Sequence, residues 1–143
     1  MYTRILVPLD GSMVAEEALV HAVQMADLFG AELILLRAAF LAQVPDNDLA
    51  EAQPILVRDS EAYLYEVARR LEGQGQRVHT VVRWRQAAEA IIEYAVEQDV
   101  SVVVMTTHGH SRLDQWPIGS TAEKVLRCMQ VPVLLIRASQ RPS

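Results

Sequence analysis

Between Thr106 and Ser120 the chain reads Thr-Thr-His-Gly-His-Ser-Arg-Leu-Asp-Gln-Trp-Pro-Ile-Gly-Ser. An apolar, strand-like run from Val100 to Met105 precedes this stretch, and an amphipathic pattern of Ile118, Ala122, Val125, Leu126 and Met129 follows it. A loop that enters a helix in this way suits an anion. Backbone N–H groups at a helix start lack partners, the macrodipole is positive there, and Gly109 and Gly119 let the chain approach a phosphate with no Cβ in the way. The spacing is neither the Gly-x-x-x-x-Gly-Lys-Ser/Thr loop nor the Gly-x-Gly-x-x-Gly fingerprint, so a different phosphate scheme is implied. Asp10, in Val7-Pro8-Leu9-Asp10-Gly11-Ser12, is the second candidate, a carboxylate at the end of an earlier apolar run.

Each candidate also has a purely structural reading. Ser120-Thr121-Ala122-Glu123 has the form of a capping box, which satisfies backbone donors at a helix start. Asp10 before Gly and Ser can pin a turn or cap a helix. As a phosphoacceptor it would need further carboxylates beside it and a Lys after the last strand, and the sequence offers neither. His108 and His110 are too few for a metal site and are expected in solvent or against phosphate; no metal site is expected. Arg112 and Lys124 are the cations available to offset Glu123. His21 and His79 are read as surface residues, Trp84 and Trp116 as packing groups, and Cys128, the sole cysteine, as a small buried hydrophobe.

The elements that must position these residues follow from periodicity. Tyr2 to Leu9 reads as a central strand, apolar on both faces. A helix carries Ala15, Ala18, Leu19, Ala22, Ala26 and Phe29 and ends at Gly30. Glu32 to Ala39 is a second strand. Leu41 to Pro54, with two prolines and no regular period, is expected to be a long loop, either disordered or a lid over the ligand end of the sheet. A second helix holds Leu64, Val67, Ala68 and Leu71 and stops at Gly73-Gln74-Gly75; a strand from Arg77 to Val82 follows. Ala87, Ala88, Ile91, Ile92 and Ala95 mark a third helix, Val100 to Met105 a fourth strand, and Val131 to Ile136 a fifth after the last helix. Strict alternation implies right-handed crossovers and one α/β domain over residues 1–143. Its parallel sheet would have order 3-2-1-4-5, four helices on its two faces, and a frayed tail at 138–143. The order reverses between strands one and four, where ligands of such sheets bind, so Asp10 and the glycine loop would share one crevice.

The chain has 143 residues and a formal net charge of −5, with an isoelectric point near 5.3. That balance argues against nucleic acid or an anionic membrane as partner. One cysteine, no leader-like start and no apolar run of about 18 residues fit a cytoplasmic protein. The last strand leaves an open edge, and a homodimer through 131–136 is its simplest cover; Pro132 suits an edge.

Thr106-x2-Gly109-x9-Gly119-Ser120, Pro8-x-Asp10 and the five-strand order together resemble the universal stress protein family over nearly the whole chain. The resemblance implies a Rossmann-like fold of the adenine nucleotide alpha hydrolase kind, with ATP or another adenine nucleotide (AMP or ADP), with or without Mg²⁺, at the switch point. It implies that Asp10 accepts hydrogen bonds from the ribose, that the backbone near Ala38 meets the adenine edge, and that the Gly109 loop with Gly119, Ser120 and Thr121 wraps the phosphates; Pro8, Leu9, Met105, Thr106 and His110 would also line the nucleotide site. The resemblance also implies pairing of last strands across a two-fold axis and action by binding. Two alternatives stay open: a protein-interaction module that binds no nucleotide, and a slow ATP hydrolase. Thr106 stands where the nucleotide-binding pattern has glycine; it fits if its φ is negative and its hydroxyl faces a phosphate. Arg85-Gln86-Ala87 also departs from the family's frequent Gly-x-Pro turn.

Overall fold

A computed structural model describes residues 1–40, 46–108 and 118–139, with 46–49 as backbone only. The element order is β1 (Arg4–Pro8), α1 (Met13–Phe29), β2 (Glu32–Ala38), α2 (Asp46–Glu72), β3 (Val78–Arg83), α3 (Ala87–Glu97), β4 (Val102–Thr106), α4 (Ser120–Cys128) and β5 (Val133–Ile136). All strand pairs are parallel and the sheet order is β3-β2-β1-β4-β5, as the alternation predicts.

The period-2 geometry of strands explains how one apolar run feeds two cores. Ile5, Val7, Leu33, Leu35, Val102 and Val104 face α1 and α2, packing on Ala18, Ala22, Leu64 and Val67. Leu6, Ile34, Leu36, Val103 and Met105 face the other way, onto Ile91, Tyr94, Ala122 and Val125 of α3 and α4. Helices on both faces leave Ile5, Leu6 and Val7 without solvent exposure, which is why β1 shows no polar alternation.

Local signals set most boundaries. Ser12 caps α1, and Gly30 ends it with φ +66°, a left-handed conformation that costs glycine little. Four expectations change. Residues 46–54 are the first turns of α2, with Pro54 inside the helix, and form no loop; 41–45 lie outside the described residues. An irregular apolar period hid this stretch, because residues 50–54 are exposed or half-buried. Cys128 is exposed, since the last turn of α4 projects it away from the sheet. The pairing of β5 with β4 is shorter than Val131 to Ile136, covering Val133 to Ile136. The tail is docked at its start: Ala138 is buried and its N–H donates to Thr107 Oγ1 at 3.0 Å, and the Ser139 N–H donates to Glu17 Oε1 at 2.9 Å. Residues 140–143 lie outside the described residues.

Candidate functional site

At the carboxyl ends of β1 and β4, where the strand order reverses, a cavity of about 190 Å³ opens. That is several times the ~30 Å³ share of one water in the liquid, so the space suits a ligand. Its lining includes Pro8, Leu9, Asp10, Ala38, Met105, Thr106, Gly119, Ser120 and Thr121. The structure thus brings the two sequence-distant turns together. Gly109 and His110, with Arg112 and Trp116, lie outside the described residues.

The first turn is built around Asp10. The ladder continues past β1 through the Leu9 N–H to the Leu36 carbonyl at 2.9 Å. Asp10 Oδ1 then accepts the Ser12 N–H at 2.9 Å and the Ser12 hydroxyl at 2.5 Å, and Ser12 Oγ accepts the Ala15 N–H at 3.1 Å. Asp10 therefore pins the turn while Ser12 caps α1, leaving the half-buried carboxylate at the cavity wall. Gly11 adopts φ +89°, which an L side chain rarely tolerates.

The second turn departs from expectation in three ways. Thr106 has a negative φ, since Asp99 is the only positive-φ non-glycine among the described residues. Its buried hydroxyl donates to the His108 carbonyl at 2.7 Å, so it braces the loop rather than facing a phosphate. The Gly119 N–H donates to the Thr107 carbonyl at 2.7 Å, which removes it as an anion donor; a Cβ at Gly119 would lie 3.0 Å from that carbonyl oxygen. The capping box does not form either. Gly119 is the N-cap of α4, with no side-chain cap, and Ser120 is already the first helical residue. The Glu123 N–H donates to the Gly119 carbonyl at 2.9 Å. The Glu123 carboxylate turns instead to Arg127 at 2.6 Å, and Lys124 pairs with Glu89 at 3.6 Å. Among the described residues, the amides of Ser120 and Thr121 thus stand at a helix start with no side-chain cap beside the cavity, where the dipole favours negative charge.

Sequence reading missed Ala15, Leu36, Ala87, Ile91, Thr107 and Ala122 as lining residues. Small and apolar residues give no chemical signal; only the β-α connectivity could have pointed to the first turns of α1 and α3. His108 contributes a buried Nδ1 with no hydrogen-bond partner among the described residues. His79, by contrast, is a surface residue paired with Glu32 at 3.1 Å, and Trp84 packs edge-on against Phe40 with ring centroids 6.0 Å apart.

Comparison with known proteins agrees with this architecture. Universal stress protein MJ0531 of Methanocaldococcus jannaschii is 28% identical over 145 residues, covering 99% of this chain and 85% of that protein. The solved structure of MJ0577, from the same organism, superposes with a TM-score of 0.90 at 27% identity, covering 99% of each chain. A universal stress protein from Archaeoglobus fulgidus, solved in complex with dAMP, has a TM-score of 0.60 at 22% identity and covers 94% of this chain and 98% of that one. The model of the Universal stress protein family matches residues 1–137. With that match spanning the whole sheet and both turns of the cavity, the chain belongs to the universal stress protein family.

Proposed function

We propose that the cavity binds an adenine nucleotide, ATP or its mono- or diphosphate with or without Mg²⁺, and that the protein acts by binding rather than turnover. The observation that carries this is the uncapped start of α4 on the same cavity as Asp10. An anion is favoured at the Ser120 and Thr121 amides. A carboxylate accepts hydrogen bonds only and repels phosphate, so Asp10 suits the hydroxyl-bearing sugar between phosphate and base. Leu36, Ala38, Ile91 and Met105 supply apolar wall for a flat base. The dAMP complex in a protein of this fold is consistent with that division; at 22% identity it speaks for the fold, and the chemistry of the cavity carries the ligand class. Among the described lining residues Asp10 is the single carboxylate, which leaves hydrolysis without a paired base and nucleophile. We further propose that β5, paired on one side only among the described residues, joins its copy in a homodimer.

Calorimetric titration with ATP, ADP and AMP, each with and without Mg²⁺, tests the nucleotide reading. Saturable heat with a rise in Tm is the expected result. No heat and no thermal shift at millimolar nucleotide would refute it.

A further inference from the structure

Arg37 lies one residue before Ala38 near the end of β2, and strand alternation turns it to the sheet face opposite the cavity wall formed by Leu36 and Ala38. There its guanidinium meets two partners. Its Nη1, Cζ and Nη2 atoms lie 3.1, 3.2 and 3.2 Å from the point a Gly11 Cβ would occupy, and its Cζ stands 5.0 Å from the centre of the Tyr63 ring. Tyr63 is itself fixed: its hydroxyl donates to Glu16 Oε2 at 2.8 Å, while Arg70 holds Glu16 Oε1 at 2.8 Å. Burial, Glu16 and the Asp10 charge make the Tyr63 hydroxyl harder to ionise, and Arg37 opposes them.

We propose that Arg37 is a positioning residue: lying flat against the Gly11 backbone and the Tyr63 ring, it holds the Asp10 turn, and so presents the Asp10 carboxylate to the sugar of a bound nucleotide. A planar guanidinium is suited to this, since it stacks on an aromatic face and on peptide backbone at once, which an ammonium does not. Gly11 is then needed twice, for its φ of +89° and for the space the guanidinium takes. The arrangement also ties α2, through Tyr63, to the ligand turn. The ligand arm of this assignment rests on the nucleotide reading; the turn arm does not.

Two measurements on Arg37→Met, which keeps the stem and removes the plane and charge, separate these arms. In the ligand-free protein, hydrogen exchange at the Ser12 amide, bonded to Asp10 Oδ1, is expected to quicken about tenfold while exchange at Ala22 in mid-α1 stays unchanged. In titrations, the variant is expected to weaken AMP about tenfold and leave 2′,3′-dideoxy-AMP unchanged, because only the former offers sugar hydroxyls to Asp10. A purely structural role would weaken both nucleotides alike, and that result, or an unchanged Ser12 exchange rate, overturns the assignment. If wild-type protein binds none of ATP, ADP and AMP, the nucleotide reading falls, and the exchange measurement still decides whether Arg37 holds the turn. Tyr63→Leu, which removes the ring but keeps Arg37, is expected to move both readouts in the same direction; should Arg37→Met fail to fold, a Tyr63→Leu protein with wild-type values overturns the proposal.

Discussion

Gly119 shows what a single residue decides. Its φ of −71° is open to any amino acid, so its requirement for glycine is steric: a Cβ would meet the Thr107 carbonyl oxygen at 3.0 Å and His108 Nδ1 at 3.4 Å. Gly119→Ala is expected to lower unfolding free energy by about 1–3 kcal/mol in urea titrations and to weaken nucleotide binding, because the backbone must shift at the helix start. Tyr63 carries a pH prediction. Burial first, then its bond to Glu16, raises its ionisation above the unfolded value of about 10. A group raised in the folded state stabilises fully below its unfolded value and loses that stabilisation as pH rises above it. Stability of the wild-type protein is therefore expected to fall above about pH 10 more steeply than that of Tyr63→Phe, as read from unfolding curves across pH 8–11. Of these side chains, Asp10 and Gly119 stand out in the sequence by type and spacing. Arg37 and Tyr63 do not, because nothing in one dimension says that β2 and α2 meet behind the first turn.

Among the elements, α2 departs most from the sequence pattern. Pro54 sits well inside it, where a proline removes one backbone donor and crowds the preceding turn, and the residues before Pro54 lack a clear apolar stripe. Tertiary packing of the later half, through Leu64, Val67, Ala68 and Leu71, anchors the helix. Pro54→Ala is expected to raise helical circular dichroism and to stabilise the protein by about 1 kcal/mol or more; an unchanged signal would mean that the early turns gain nothing from the restored bond. In α4 the conflict runs the other way. Ser120 and Glu123 have capping-box spacing, yet the helix begins one residue earlier in register, at a Gly119 cap, because the Gly119 N–H and carbonyl are already tied to Thr107 and Glu123. Spacing alone could not separate these registers, which differ by a single residue and exchange a side-chain cap for a helix start without one.

At the scale of the whole molecule, the free side of β5 is the main unfinished surface. Leu134 is 39% exposed on β5, next to strand backbone that is unpaired among the described residues. Leu134→Arg is expected to convert the proposed dimer to monomer in native mass spectrometry without loss of fold; an unchanged subunit count would place the interface elsewhere. The sequence by itself determined the alternation of strands and helices and the buried character of β1, because an apolar strand run needs helices on both faces; the sheet order 3-2-1-4-5 was indicated by the family resemblance. It also determined which two turns meet. Only the tertiary structure decided what those turns do with their own atoms: Thr106 spent on His108, the Gly119 amide on Thr107, Asp10 on Ser12, and Arg37 laid against Gly11. Those choices turn on contacts of about 3 Å, some within a single turn and some, such as Arg37 against Gly11, between separate elements. Residue types name the possible partners, and packing selects among them.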